Sequence, residues 1–176
     1  MELIISNDIA VRIDRALAKA KRQEIGGLLV GEHVGAETFR IVDISIQTTH
    51  GSYAHFERDP ELHAHFLETF FKRTGENYKR YNYLGEWHSH PSFELLPSSD
   101  DVRTMRSIVD DPQVGVNFAV LLIVRRDGHR RLALSAMAFP RSLPPQLVTV
   151  RGDTIDQVTK RSLVATIRHY IRSWVS

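Results

Sequence analysis

The run Gly85-Glu86-Trp87-His88-Ser89-His90-Pro91, followed by Ser98-Ser99-Asp100-Asp101, limits what this chain can fold into more than any other stretch. Tyr81 to His88 is rich in aromatic residues and reads as a strand. Side chains two apart on a strand share a face, so His88 and His90 converge while Ser89 points away. Pro91 disfavours the α region for His90 and keeps the pair extended. Asp101 lies at the start of a segment, 99–109, that reads as a helix. The first turn of that helix is well fixed in space, which makes Asp101 a natural third partner for the two imidazoles.

Two neutral imidazoles supply half of a tetrahedral zinc shell, and a catalytic zinc takes three protein ligands and keeps a fourth position for water. A carboxylate oxygen beside two nitrogens suits such an open, water-activating site. Ser98-x-x-Asp101 also has the form of a helix capping box, a structural role that accounts for both residues by itself and is compatible with the first. The chain carries its own control, His63-Ala64-His65, within a segment of helical character, 60–71. Positions two apart on a helix do not face one another, so these are expected to be surface or flank histidines.

His88-Ser89-His90-Pro91 with Ser98 and Asp101 at this spacing resembles the signature of the JAMM (MPN+) metalloproteases, zinc isopeptidases that remove ubiquitin and ubiquitin-like proteins. That family also has a glutamate just before a glycine-rich hydrophobic strand, and Gln23-Glu24-Ile25-Gly26-Gly27-Leu28-Leu29-Val30-Gly31 is similar to it, with Glu24 in that position. The resemblance spans residues 1 to about 140 and fills every functional position. It implies an α/β MPN fold, a mixed sheet flanked by helices and related to cytidine-deaminase-like architecture. It implies Zn2+ held by His88, His90 and Asp101, with Glu24 as general base and Ser98 as oxyanion donor. Glu86, on the strand face of His88, is the rival base and otherwise a rim carboxylate.

The same resemblance implies a substrate with an extended C-terminal tail, taken up by strand addition beside the metal. The segment 50–80 is where the family inserts substrate-gripping elements, so Phe56 and Arg58 are assigned to substrate binding, together with Glu86 and Trp87 on the strand that carries the histidines. The alternative is that this segment is simply a connecting helix. The compact length looks like that of bacterial members. Some of these sit beside ubiquitin-activating and ubiquitin-conjugating-like proteins, including in antiphage systems such as CBASS, where they deconjugate a protein or process a precursor.

The remainder of the chain agrees. Its 176 residues allow one domain with a substantial core. Pro140, Pro144 and Pro145 mark a boundary, giving a metalloprotease domain over 1–143 and a C-terminal extension over 144–176. Thr154 to Val175 reads as a basic amphipathic helix that packs back on the domain, or docks a partner or second copy. Strands are expected at Glu2–Ser6, Ile25–Glu32, Thr38–Thr48, Asn117–Arg125 and Arg130–Phe139, the last two joined by an Asp127-Gly128 turn; helices at about 7–21 and 59–73. No cysteine means no disulfide and no thiolate zinc site, which with the absence of a leader-like start or a long apolar run points to the cytoplasm and away from membranes. A net charge of +2 does not argue for nucleic acid.

Two other function classes stay open. One is a zinc hydrolase of a small amide; the nucleobase deaminases of related fold need cysteine ligands that this chain lacks. The other is a binding module that keeps the fold without turnover.

Overall fold

The computed structural model describes residues 1–48, 59–92, 94–127, 131–152 and the backbone of 155–157. The elements in chain order are β1 (Glu2–Ile5), α1 (Asn7–Ala20), β2 (Gly26–Gly35), β3 (Thr38–Ile44), α2 (Pro60–Arg73), β4 (Tyr81–Ser89), α3 (Ser99–Asp110), β5 (Phe118–Arg126), β6 (Leu132–Pro140), β7 (Gln146–Leu147), β8 (Thr149–Arg151) and β9 (Ile155–Gln157). They form one mixed sheet in the order β7-β6-β5-β4-β2-β3-β1-β8, with β9 beside β6. The pairs β2/β3, β2/β4 and β5/β6 are antiparallel. Strands β4 and β5 run parallel, which requires a crossover, and α3 supplies it.

Each face of the sheet has its own core. Helix α1 turns Ile9, Ile13 and Leu17 onto Leu3, Leu29, Trp87, Leu122 and Val124. Helix α3 turns Val102, Met105 and Val109 onto Leu121, Ile123 and Met137 on the other face. The alternation along β5 shows the division: Leu122 and Val124 belong to the α1 face, Leu121 and Ile123 to the α3 face. A strand covered on both sides reads as a continuous apolar run, as Phe118–Val124 does.

Strand β3 ends at Ile44, earlier than its hydrophobic alternation suggests. Beyond it Ser45 and Gln47 stay beside the start of β2, but the regular ladder is interrupted. Ser45 Oγ accepts from Leu28 N at 2.7 Å, and Gln47 forms an isolated bridge with Gly26. The sheet also extends past residue 143 through β7 and β8, which two- and three-residue lengths hide from any periodicity. Residues 155–157, expected to be helical, are strand β9 paired with β6, while the rest of the expected helix, 154 and 158–175, lies outside the described residues. No helix among the described residues is long and apolar enough to cross a membrane.

Candidate metal centre

Three separate parts of the chain meet at the ends of β4 and β2. On β4, Trp87 belongs to the α1 face, so strand alternation puts His88 on the α3 face, in register with Ile123 of β5. His90, one residue past the strand, is held by its backbone N–H donating to Val124 O at 2.9 Å. The two rings stack with centroids 4.9 Å apart, and their Nε2 atoms lie 3.1 Å from one another. Asp101, in the first turn of α3, brings Oδ1 to 3.6 Å from His88 Nε2 and Oδ2 to 4.0 Å from His90 Nε2.

Several local contacts fix these side chains. His90 Nδ1 lies 2.7 Å from Glu94 O, and a carbonyl can only accept, so Nδ1 carries the proton and Nε2 presents its lone pair inward. Ser98 and Asp101 form a full capping box. Ser98 Oγ accepts from Asp101 N at 3.1 Å, while Ser98 N and Oγ both donate to Asp101 Oδ2 at 2.7 Å. Capping and site roles therefore fall on the same two residues, and the cap sets the direction of the carboxylate.

Glu24 comes from the turn before β2 and is 7% exposed. Ser89, pointing away from the histidines, fastens this turn. Its N–H donates to Ile25 O at 2.8 Å and its Oγ accepts from Ile25 N at 3.0 Å. Gly26 stands opposite His88, where a Cβ would come within 2.4 Å of Trp87 O and 3.0 Å of His88 Cβ; only glycine lets the strands close here. Burial first, and the negative charge of Asp101 second, push the Glu24 carboxyl up to about 7.

The donor set fits a zinc ion. One ligand atom from each of His88, His90 and Asp101 lies within 4.8 Å of the others. Two nitrogens on a tetrahedral zinc at about 2.0–2.1 Å lie roughly 3.3 Å apart, close to the spacing of the two Nε2 atoms. Two nitrogens and one oxygen leave a fourth position for water or substrate.

The other expected site residues fare differently. Trp87 is fully buried and its indole N–H donates to Ser45 O at 2.9 Å, so it is a core residue and cannot grip substrate. Its odd position relative to His88 already dictated the opposite face. Glu86 is buried on the His88 face. Phe56 and Arg58 lie outside the described residues. Of the second histidine pair, His65 is exposed as expected, but His63 is buried, because α2 turns it inward with Phe70. Sequence reasoning missed Ser89 as a fastener of the Glu24 turn and Glu94 as the acceptor for His90. Neither has a local signal, since one partner is far upstream and the other is a backbone carbonyl.

The model of a family described as "Prokaryotic homologs of the JAB domain" matches residues 7–136, most of the chain. Among curated proteins, a CD-NTase/cGAS isopeptidase of Enterobacter hormaechei is 29% identical over 81% of this chain and 78% of its own length. The 26S proteasome non-ATPase regulatory subunit 14 of Dictyostelium discoideum is 30% identical over 75% of this chain. The ubiquitin carboxyl-terminal hydrolase RPN11 of Saccharomyces cerevisiae is 26% identical over 84%. The chain spans under half the length of these two proteasomal relatives, 44% and 49%. A solved structure, protein DSY2949 of Desulfitobacterium hafniense, shares the fold with a TM-score of 0.62 at 15% identity, over 90% of this chain and 96% of that one.

Proposed function

The chain belongs to the family of prokaryotic homologues of the JAB domain, and on that premise we propose that it is a zinc-dependent isopeptidase. It cleaves the amide bond after the extended C-terminal tail of a ubiquitin-like or otherwise conjugated protein. The observation that carries this reading is the convergence of His88 Nε2, His90 Nε2 and an Asp101 oxygen within 4.8 Å, beside a buried glutamate from a distant turn.

His88, His90 and Asp101 would hold the metal. A zinc ion there supplies Lewis acidity toward water and toward the scissile carbonyl. Glu24 takes the proton from the attacking water on its carboxylate and gives it to the departing lysine Nζ. A buried carboxylate beside the ligands is placed to take and return that proton without exchange with bulk water. The Ser98 hydroxyl, which donates to Asp101 Oδ2 in the resting site, turns to donate to the oxyanion that forms on the carbonyl. Burial of Glu24, His88 and His90 keeps bulk water from competing for these groups.

The similarity to a CD-NTase/cGAS isopeptidase supports a conjugated protein as substrate. We propose an antiphage system with ubiquitin-activating and ubiquitin-conjugating-like partners as its setting. The protein acts in the cytoplasm on this reading. The test is cleavage of a peptide-linked ubiquitin-like fusion with and without a chelator, alongside elemental analysis. Cleavage that stops on chelation and returns with zinc is expected. Chelator-insensitive cleavage removes the metalloprotease reading, and bound zinc without cleavage of any fusion points to a small-amide hydrolase or a non-turnover binding module.

A further inference from the structure

We propose that Ser135, on β6, is a positioning residue for the metal centre. Its hydroxyl fixes the loop whose Glu94 carbonyl sets the tautomer and aim of His90. The inference rests on the zinc reading above and concerns a residue two strands away from the ligands.

Strand β6, Leu-Ala-Leu-Ser-Ala-Met-Ala-Phe-Pro, is apolar except at Ser135, which is 2% exposed. A hydroxyl buried in such a strand costs stability unless it is bonded. Cross-strand register places it in one row with the site: His88 stands beside Ile123 of β5, and Ile123 beside Ser135. Residues in one such row point to the same face, so Ser135 projects toward α3 as His88 does. There Ser135 Oγ donates to Leu95 O, a bond buried from solvent. Leu95 itself is 5% exposed and packs in the α3-side core with Val102, Met105 and Ile123.

The carbonyl that precedes Leu95 O in the chain is the acceptor for His90 Nδ1, at 2.7 Å. The two peptide planes are joined only through Leu95, whose buried side chain in the α3-side core restricts rotation there, so holding one carbonyl limits where its neighbour points. The order of dependence is Ser135 hydroxyl, Leu95 carbonyl, Glu94 carbonyl, His90 ring. Outer hydrogen-bond partners of a ligating imidazole keep its ring oriented and its inner nitrogen basic. Without the Ser135 hydroxyl, Leu95 O is left buried and unbonded, and the loop shifts to regain a partner. Glu94 O then leaves the position that aims His90.

A purely structural role makes a different prediction, namely lower stability with unchanged metal binding. Zinc affinity of the metal-stripped full chain, measured by competition with a chromophoric chelator, separates the two when read beside thermal midpoints. Ser135→Ala is expected to bind zinc about 10- to 100-fold more weakly than wild type. Ser135→Thr, which keeps the hydroxyl, restores binding to within about threefold, and Ser135→Cys, a weaker donor, falls between. Ser45→Ala removes another buried hydroxyl, the acceptor for Leu28 N, with no link to the loop; it loses stability yet binds zinc like wild type. Equal affinity in wild type and Ser135→Ala overturns the proposal, and so does an equal loss in Ser45→Ala. Should Ser135→Ala not fold, Thr against Cys decides: weaker binding by Cys supports the relay, and equal binding sinks it. Failure of the wild-type chain itself to bind zinc overturns the zinc reading and this inference together, which distinguishes it from failure of the relay alone.

Discussion

The two His-x-His pairs have the same spacing and opposite fates. His88 and His90, at the end of a strand, stack and turn their Nε2 atoms to 3.1 Å of each other. His63 and His65, in the first turns of α2, diverge, one buried and the other in solvent. The residue types are identical, so the difference lies in the backbone period: two residues are a full repeat on a strand and about 200° of rotation on a helix. The surroundings differ as well. The strand pair meets a capping-box carboxylate and a buried glutamate, whereas His63 lies on a helix that caps itself with Asp59 and anchors by Phe70. A ligand motif is thus a property of the element that carries it.

The largest test of this contrast replaces one ligand. His88→Ala or His90→Ala is expected to lower isopeptide cleavage by at least about a thousandfold, because a two-ligand site no longer holds the metal that activates water. Near wild-type rates in either variant break the comparison. Glu24→Gln keeps the ligands and removes the base; kcat is expected to fall by about 10²- to 10⁴-fold with zinc content unchanged. If that variant turned over at full rate, Glu86 would become the residue to examine. Ser98→Ala should cost about 10²- to 10³-fold in kcat through the lost oxyanion donor, plus about 1 kcal/mol of stability through the lost cap. A stability loss with no kinetic effect would leave Ser98 as a cap only.

The pH dependence of the metal-free protein gives a smaller, independent reading of the site. Glu24 has its folded-state pKa raised from 4.5 to about 7, so the protonated form is the one the fold accommodates. Its contribution is complete below about 4.5 and is lost as pH rises through about 7, where the buried carboxylate charges against Asp101. Glu24→Gln escapes that loss, so it is expected to gain stability over wild type between pH 5 and pH 8, by up to roughly 3 kcal/mol. Parallel denaturation curves at the two pH values would show that Glu24 is not buried in the charged state. The smallest effect belongs to the other pair: His65→Ala should change stability by less than about 0.5 kcal/mol and leave cleavage unchanged.

What the sequence reveals follows the range of the interactions. His88, His90 and Asp101 are legible because strand parity, a proline and a capping box are local signals, whereas Glu24 is reached only through the family resemblance; the structure brings the four together. The layout of β4, α3, β5 and β6 is legible for the same reason. The early end of β3 is not, since at Ser45 the hydroxyl accepts from Leu28 N and the carbonyl from the Trp87 indole N–H, partners that its own alternation does not register. Trp87 could have been excluded from the substrate surface by parity with His88. Ser89 and Ser135 are invisible locally, because their partners Ile25 and Leu95 lie 64 and 40 residues away. Local periodicity reads which way a side chain points, while tertiary register decides what it meets.

The most direct measurement is the zinc content per chain, by elemental analysis, of wild type, His88→Ala, His90→Ala, His63→Ala and His65→Ala purified alike. One zinc per chain is expected in wild type and in both α2 variants, and none in either β4 variant. Zinc retained after His90→Ala, or lost after His65→Ala, would contradict the assignment of the metal to the strand pair.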